Sequence, residues 1–79
     1  MNARHLKAIA IGSAQATDWN MRVPVGTPVK YWPLIGEQDP PPVEGVTRSE
    51  AWCLGHGTPV VLITGKSGGV CLSHLEVVT

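Results

Sequence analysis

The alternation of hydrophobic and polar positions changes character near Val23. Residues 1–22 are rich in alanine and carry a few larger apolar side chains at helical spacing. These positions are Leu6, Ile9 and Ala10. The segment predicts either a short helix over about residues 3–11 or a mobile arm, because helices this short are marginal unless they pack. A strand over residues 6–11 is the competing interpretation.

From residue 23 onward, short β-branched runs alternate with turns rich in glycine and proline. The clearest strand is residues 59–64 (Pro-Val-Val-Leu-Ile-Thr), which is uninterrupted and bounded by glycines, as a fully buried strand should be. A tight hairpin turn is predicted at residues 65–69. The apolar positions after it slip by one residue near Ser73, which indicates a bulge or a helical turn there.

The order of these elements resembles an SH3-like small barrel. The residues that carry the resemblance are Gly26, Val29, Tyr31, Gly55, Gly57, Gly69, Val70, Leu72, Ser73, Leu75 and Val78. The resemblance implies an all-β fold of about five short strands, with a long first loop and a 3₁₀ turn before the last strand. It places an arm or short helix at residues 1–22 and the barrel at residues 23–79. Since this fold hosts many unrelated activities, it implies no function.

Two further resemblances bear on function. Residues 47–52 (Thr-Arg-Ser-x-Ala-Trp) and 57–61 (Gly-x-Pro-Val-Val) resemble short uncharacterised proteins of tailed phages and prophages, which implies no activity. The length and expected fold are similar to type II dihydrofolate reductases, whose pore is lined by a Val-Gln-Ile-Tyr motif. Residues 70–73 (Val-Cys-Leu-Ser) lack that glutamine and tyrosine, and no nucleophile–base–acid set stands out. We therefore expect a protein that is not an enzyme.

Composition and charge exclude several further classes of protein. The 79 residues allow one small domain, and six basic and six acidic side chains leave a formal net charge of zero. That balance argues against a dedicated nucleic-acid binder and against a membrane partner. No apolar run reaches the roughly 20 residues of a membrane span, and the patch at residues 8–11 is too short for a signal peptide. Two cysteines are too few for a disulfide scaffold, so a cytoplasmic protein is expected.

The leading functional expectation is a non-catalytic interaction module, a phage or prophage accessory protein that docks on a protein partner. Tyrosine and tryptophan are enriched at interface hot spots, and a loop of about ten residues in a small domain is often functional. The expected binding residues are Tyr31, Trp32, Trp52 and Pro41. The competing interpretation is that these aromatic side chains supply the core of a chain without phenylalanine, where at least one tryptophan is expected.

The triple proline at residues 40–42 has two interpretations of its own. It either stiffens the long first loop or serves as a ligand for the aromatic groove of another protein. Because Asp39 precedes it and no basic residue flanks it in the right place, the stiff loop is favoured.

A zinc-stabilised minidomain is the first alternative function. Cys53 and His56 share a Cys-x-x-His spacing with Cys71 and His74. Two such pairs supply the four ligands of a tetrahedral zinc site. The competing interpretation is two half-buried thiols and two surface imidazoles that hold no metal or other cofactor.

A barrel that contacts nucleic acid is the second alternative function. Lys30, Arg48 and Lys66 supply positive charge that could lie along a phosphate backbone. Three scattered basic residues in a neutral protein are more often part of an ordinary solvated surface.

Overall fold

The computed structural model describes residues 3–32 and 42–78. Within these ranges the chain forms one helix, six short strands and a 3₁₀ turn between the last two strands. The elements are α1 (Ala3–Arg22), β1 (Pro28–Tyr31), β2 (Val43–Val46), β3 (Trp52–Cys53), β4 (Pro59–Val61), β5 (Val70–Cys71), the 3₁₀ turn (Leu72–His74) and β6 (Leu75–Val77). The predicted 3₁₀ turn before the last strand is confirmed.

The strands form two antiparallel sheets of three strands each, in the orders β2-β1-β6 and β3-β4-β5. An isolated bridge between Thr47 and Ile63 joins them beyond the ends of β2 and β4. The predicted all-β, SH3-like barrel is wrong, because the described part of the chain is a mixed fold of one helix and two small sheets that do not close. The physical reason is the helix, which supplies Ala16 and Trp19 to a core that an all-β fold would build from strand residues alone.

Helix α1 is far longer than the predicted segment of residues 3–11. Its buried and half-buried residues recur every three or four positions, which is the pattern of a helix packed along one side. They are His5, Ala8, Ile9, Gly12, Ala16, Trp19 and Asn20. Gly12 and Asn20 look like helix interruptions in the sequence, but both lie on this packed side. Within the described residues, no helix is both long and apolar enough to cross a membrane.

The hydrophobic core lies between α1 and the two sheets. The helix and the residue after it contribute Ala16, Trp19 and Val23, and the strands and their flanks contribute Val29, Ala51, Val61, Ile63 and Val70. Trp19 is only 7% exposed. The expectation that at least one tryptophan lies in the core is therefore confirmed. In this chain without phenylalanine, the indole of Trp19 supplies a large aromatic side chain to the core.

The N-terminal half of α1 rests on the β3–β4 turn through two glycines. A Cβ atom built on Gly12 would overlap the carbonyl oxygen of Gly57 and lie 2.8 Å from Cys53 Sγ. A Cβ atom on Gly57 would lie 2.8 Å from the carbonyl oxygen of Ala8, and Gly57 has a φ of 104° that disfavours other residues. Since the contacts are between backbones, neither partner can move aside as a flexible side chain would.

The C-terminal half of α1 is attached by an amide clamp. The Asn20 side chain donates from Nδ2 to the carbonyl oxygen of Ala51 at 3.0 Å, and its Oδ1 accepts from the backbone N–H of Ala51 at 2.7 Å. Ala51 precedes β3, so the clamp satisfies both backbone groups of a residue that would otherwise be buried without partners.

The exit from the helix is fixed by a buried hydroxyl. Thr47 is 2% exposed, and its Oγ1 accepts hydrogen bonds from the backbone N–H groups of Gly26 and Thr27 at 3.0 Å. The same hydroxyl donates to the carbonyl oxygen of Pro24 at 3.2 Å. The turn between α1 and β1 is thereby tied to the end of β2.

We predict that Gly12→Ala lowers the free energy of unfolding by about 1–3 kcal/mol, measured by urea titration with tryptophan fluorescence. The added methyl meets backbone that cannot yield, and the loss must outweigh a gain of about 1 kcal/mol in helix propensity. The control is Ser13→Ala on the exposed side of the helix, which should change stability by less than about 0.5 kcal/mol. A Gly12→Ala protein as stable as the wild type would contradict the packing described here.

We predict that Asn20→Ala costs about 1–3 kcal/mol, because both backbone groups of Ala51 lose their partner under the helix. Hydrogen exchange of the Ala51 amide should accelerate in this variant. Asn20→Asp should also destabilise, since it keeps the acceptor but sets a carboxylate against the Ala51 carbonyl oxygen. The exposed amide of Gln15 provides the control, and Gln15→Ala should leave both stability and Ala51 exchange unchanged.

Candidate functional site

An aromatic face lies on the side of the second sheet that is turned away from α1. We define it by Trp52, Val60, Gly69 and Cys71. The strand register sets Trp52 opposite Val60 and Val60 opposite Cys71, so the three side chains form a row across the sheet. Trp52 is 40% exposed, whereas Val60 is only 2% exposed. A Cβ atom on Gly69 would lie 2.8 Å from Val60 Cγ2 and 3.4 Å from Trp52 Cη2, so the indole and Gly69 together cover Val60.

The direction of Trp52 follows from its neighbours in the chain. Side chains alternate between the two faces of a strand. Ala51 is held under α1 by Asn20, and Cys53 Sγ lies 3.7 Å from the carbonyl oxygen of Ile9 in the helix. With the residues on both sides facing the helix, Trp52 must project from the opposite face.

A pocket of about 310 Å³ continues from the aromatic face. We call it the Tyr31 pocket. Its lining includes Gly69 and Cys71, which also belong to the aromatic face, together with Tyr31, Lys66 and His74. The two surfaces are therefore continuous, and a single extended ligand could contact both.

Lys66 forms one wall of the Tyr31 pocket. Its ammonium nitrogen lies 4.9 Å from the centroid of the Tyr31 ring, within the range of a cation–π contact. Arg48 holds the turn that carries Lys66, because it donates from Nε to the carbonyl oxygen of Ile63 at 3.0 Å and from Nη2 to that of Lys66 at 3.1 Å.

His74 also lines the Tyr31 pocket, and its hydrogen bonding determines its tautomer. Its Nδ1 lies 2.7 Å from the carbonyl oxygen of Trp32, and a carbonyl only accepts, so Nδ1 carries the proton. Nε2 of the neutral ring is then a free acceptor. The ring centroid of His74 lies 6.2 Å from that of Tyr31. The backbone N–H of Trp32 donates to the His74 carbonyl oxygen at 2.8 Å, which extends the β1–β6 ladder and fixes the position of the histidine.

The structure brings together some of the predicted binding residues. Tyr31 is half-buried in the pocket and Trp52 is exposed on the adjoining face. Trp32 is half-buried and reaches the site through its backbone. Pro41 lies outside the described residues, as does Pro40, so the two interpretations of the triple proline are untested.

Neither Lys66 nor His74 is predicted from the sequence as a partner-binding residue. The sequence suggests Lys66 as a phosphate contact and His74 as a zinc ligand. The available signal in the sequence is the glycine-rich hairpin, which brings Lys66 near its tip and His74 after β5 into the lining of the pocket that contains Tyr31.

The Cys-x-x-His pairs are not brought together as a metal site. Cys53 faces α1, whereas Cys71 belongs to the row on the opposite face of the same sheet. His56 Nδ1 lies 3.0 Å from the hydroxyl of Thr58 in the β3–β4 turn, and His74 is bonded to Trp32. In the ranges that the structure covers, no group of three or more histidine, cysteine or acidic side chains is placed to hold a metal ion.

The three basic residues considered for nucleic acid have separate surroundings. Lys30 lies in β1 beside Glu44 of β2 and Glu76 of β6, on the face opposite to its neighbour Tyr31. Arg48 is engaged with turn carbonyl groups and Lys66 with the Tyr31 ring. They do not form one continuous basic surface.

The chain matches no family model, no curated protein and no solved structure in comparisons with known proteins.

We predict that one equivalent of Zn²⁺ leaves the melting temperature and the cysteine Cβ chemical shifts unchanged, because the two thiols lie on opposite faces of a sheet. Tetrahedral zinc needs its sulfur ligands about 2.3 Å from one ion. Differential scanning calorimetry and ¹³C NMR provide the measurement. A rise in melting temperature that disappears in Cys71→Ser would show the prediction to be wrong.

Proposed function

We propose that the protein is a small, non-catalytic interaction module that binds a protein partner through the aromatic face and the adjoining Tyr31 pocket. In this proposal it is a cytoplasmic accessory protein, of the kind encoded by phages and prophages.

The exposed indole of Trp52 carries the proposal. A large aromatic side chain with 40% of its surface exposed lies against Val60, which the strand register sets opposite it, and its ring reaches the position of Gly69. Trp52 therefore loses little conformational freedom when a partner covers it, which is the property that makes tryptophan frequent at hot spots. Val60, already buried beneath it, gives the indole a rigid apolar base.

The setting of the aromatic face supports a binding role over a purely structural one. The core of the described residues contains Trp19 but not Trp52. A chain with only three tryptophans, one tyrosine and no phenylalanine leaves one of its largest apolar side chains in solvent. Large exposed aromatic groups beside polar pocket walls are typical of interaction surfaces.

The test is selection from a displayed library of random peptides on the immobilised protein, followed by affinity measurement on the enriched peptides by calorimetry. We predict that Trp52→Ala weakens binding by at least about tenfold, as removal of a hot-spot aromatic does. Because Trp52 also covers Val60, Trp52→Leu serves as a second variant that keeps Val60 covered but lacks the indole. Melting curves establish that each variant is folded.

The matched control is Met21→Ala. Met21 is an apolar side chain 81% exposed on α1, away from the aromatic face, and its removal should leave affinity unchanged. Enriched peptides that bind the wild type and Trp52→Leu equally well would show that the aromatic face is not the binding surface.

A further inference from the structure

We infer that the Tyr31 pocket recognises a carboxylate side chain on an extended peptide segment of the partner. The inference rests on the proposed function, because it assigns a ligand chemistry to the pocket beside the aromatic face. The partner segment would place an acidic residue in the pocket and a neighbouring apolar residue on Trp52.

The charge of the pocket favours an anionic ligand. Lys66 brings an ammonium group to the pocket wall, and none of the lining residues that the structure describes is acidic. Among the described residues the ion pair present is Arg22 with Asp18 on the helix, at 2.9 Å, so Lys66 has no carboxylate within pairing distance there. The Tyr31 ring orients this charge without neutralising it. A cation whose described surroundings hold no carboxylate partner is complementary to an anionic ligand.

The hydrogen-bonding groups of the pocket favour a peptide over a simple anion. His74 uses its Nδ1–H on the carbonyl oxygen of Trp32, so Nε2 remains as an acceptor for a ligand. Ser67, which also lines the pocket, adds a hydroxyl that both donates and accepts. A matching ligand therefore brings an anionic group for Lys66 together with a hydrogen-bonding group for His74. A peptide supplies both an acidic side chain and backbone N–H donors, and so matches both residues.

The size of the pocket and its continuity with the aromatic face suit an extended peptide. At about 310 Å³ the pocket is at the lower limit of small-molecule sites and suits one side chain with its adjoining backbone. Gly69 has no side chain to separate the pocket from Trp52, and a Cβ atom there would collide with Val60. A peptide can therefore cross from the pocket to the indole along the backbone of Gly69.

The experiment is an NMR titration of the full chain with two probes, acetyl-Leu-Ser-Glu-Ser-Leu-amide and the same peptide with glutamine in place of glutamate. The ring signals of Tyr31 and His74 report the pocket, and the indole N–H of Trp52 reports the aromatic face. We expect both regions to shift together, with the glutamate peptide binding about two- to fivefold more tightly, as exposed ion pairs contribute.

Two variants test which side chains produce the preference for the glutamate peptide. Lys66→Met should abolish the difference between the glutamate and glutamine peptides. His74→Asn keeps a donor that can reach the Trp32 carbonyl oxygen but lacks Nε2, and it should weaken both peptides alike. Lys7→Met removes an exposed lysine from α1 and is the control for the loss of one positive charge, so the glutamate preference should persist in it.

Three results would contradict the inference, and the experiment distinguishes them from one another. Equal binding of both peptides at Trp52, unaffected by Lys66→Met, would overturn the carboxylate inference and leave the proposed function standing. Acetate or inorganic phosphate alone shifting the pocket as strongly as the glutamate peptide would overturn the peptide as the source of the anion. If neither peptide shifts Tyr31 or His74, the inference is wrong, and the Trp52 variants with selected peptides decide the proposed function separately.

Discussion

The contact on which the rest of the structure depends is the meeting of two backbones at Gly12 and Gly57. Each glycine lies where a Cβ atom on it would collide with the other segment, so helix and turn approach as closely as backbone atoms allow. This contact sets the distance between α1 and the second sheet. At that distance Ala16 and Trp19 lie in the core, and the Asn20 side chain is within hydrogen-bonding distance of Ala51. A small domain has little apolar area to bury, and close approach of the helix lets short side chains complete the core.

The same attachment determines where the site faces. Asn20 holds the residue before β3 and Ile9 contacts Cys53, so the residue between them projects from the opposite side. The outward direction of Trp52 is thus a consequence of helix packing. The pocket has its own supports, because the β1–β6 ladder places His74 and the bonds from Arg48 place the turn that carries Lys66.

How much could be predicted from the sequence depends on the range of the interactions. The strand that begins at Pro59, the glycine hairpin and the 3₁₀ turn at Leu72–His74 follow from neighbouring residues and were predictable. The length of α1 was not, because Gly12 and Asn20 favour a helix only through contacts with Gly57 and Ala51. Strand β2 and the two-sheet arrangement depend equally on distant pairing. For the site, residue type identified Tyr31 and Trp52, but the meeting of Lys66 and His74 required the strand pairing itself.

A comparison of Trp19 with Trp52 shows why folding alone does not explain the aromatic face. Trp19 is buried where the helix meets the sheets, and full burial of such a side chain contributes about 2–3 kcal/mol or more. Trp52 covers Val60 but leaves two-fifths of its own surface in water, and a leucine or methionine would cover a valine with less apolar exposure. Folding therefore accounts for an apolar residue at this position but not for the size of the indole. The surplus surface points outward beside the Tyr31 pocket, where Lys66 has no carboxylate partner among the described residues, and a partner of the proposed kind would bury it.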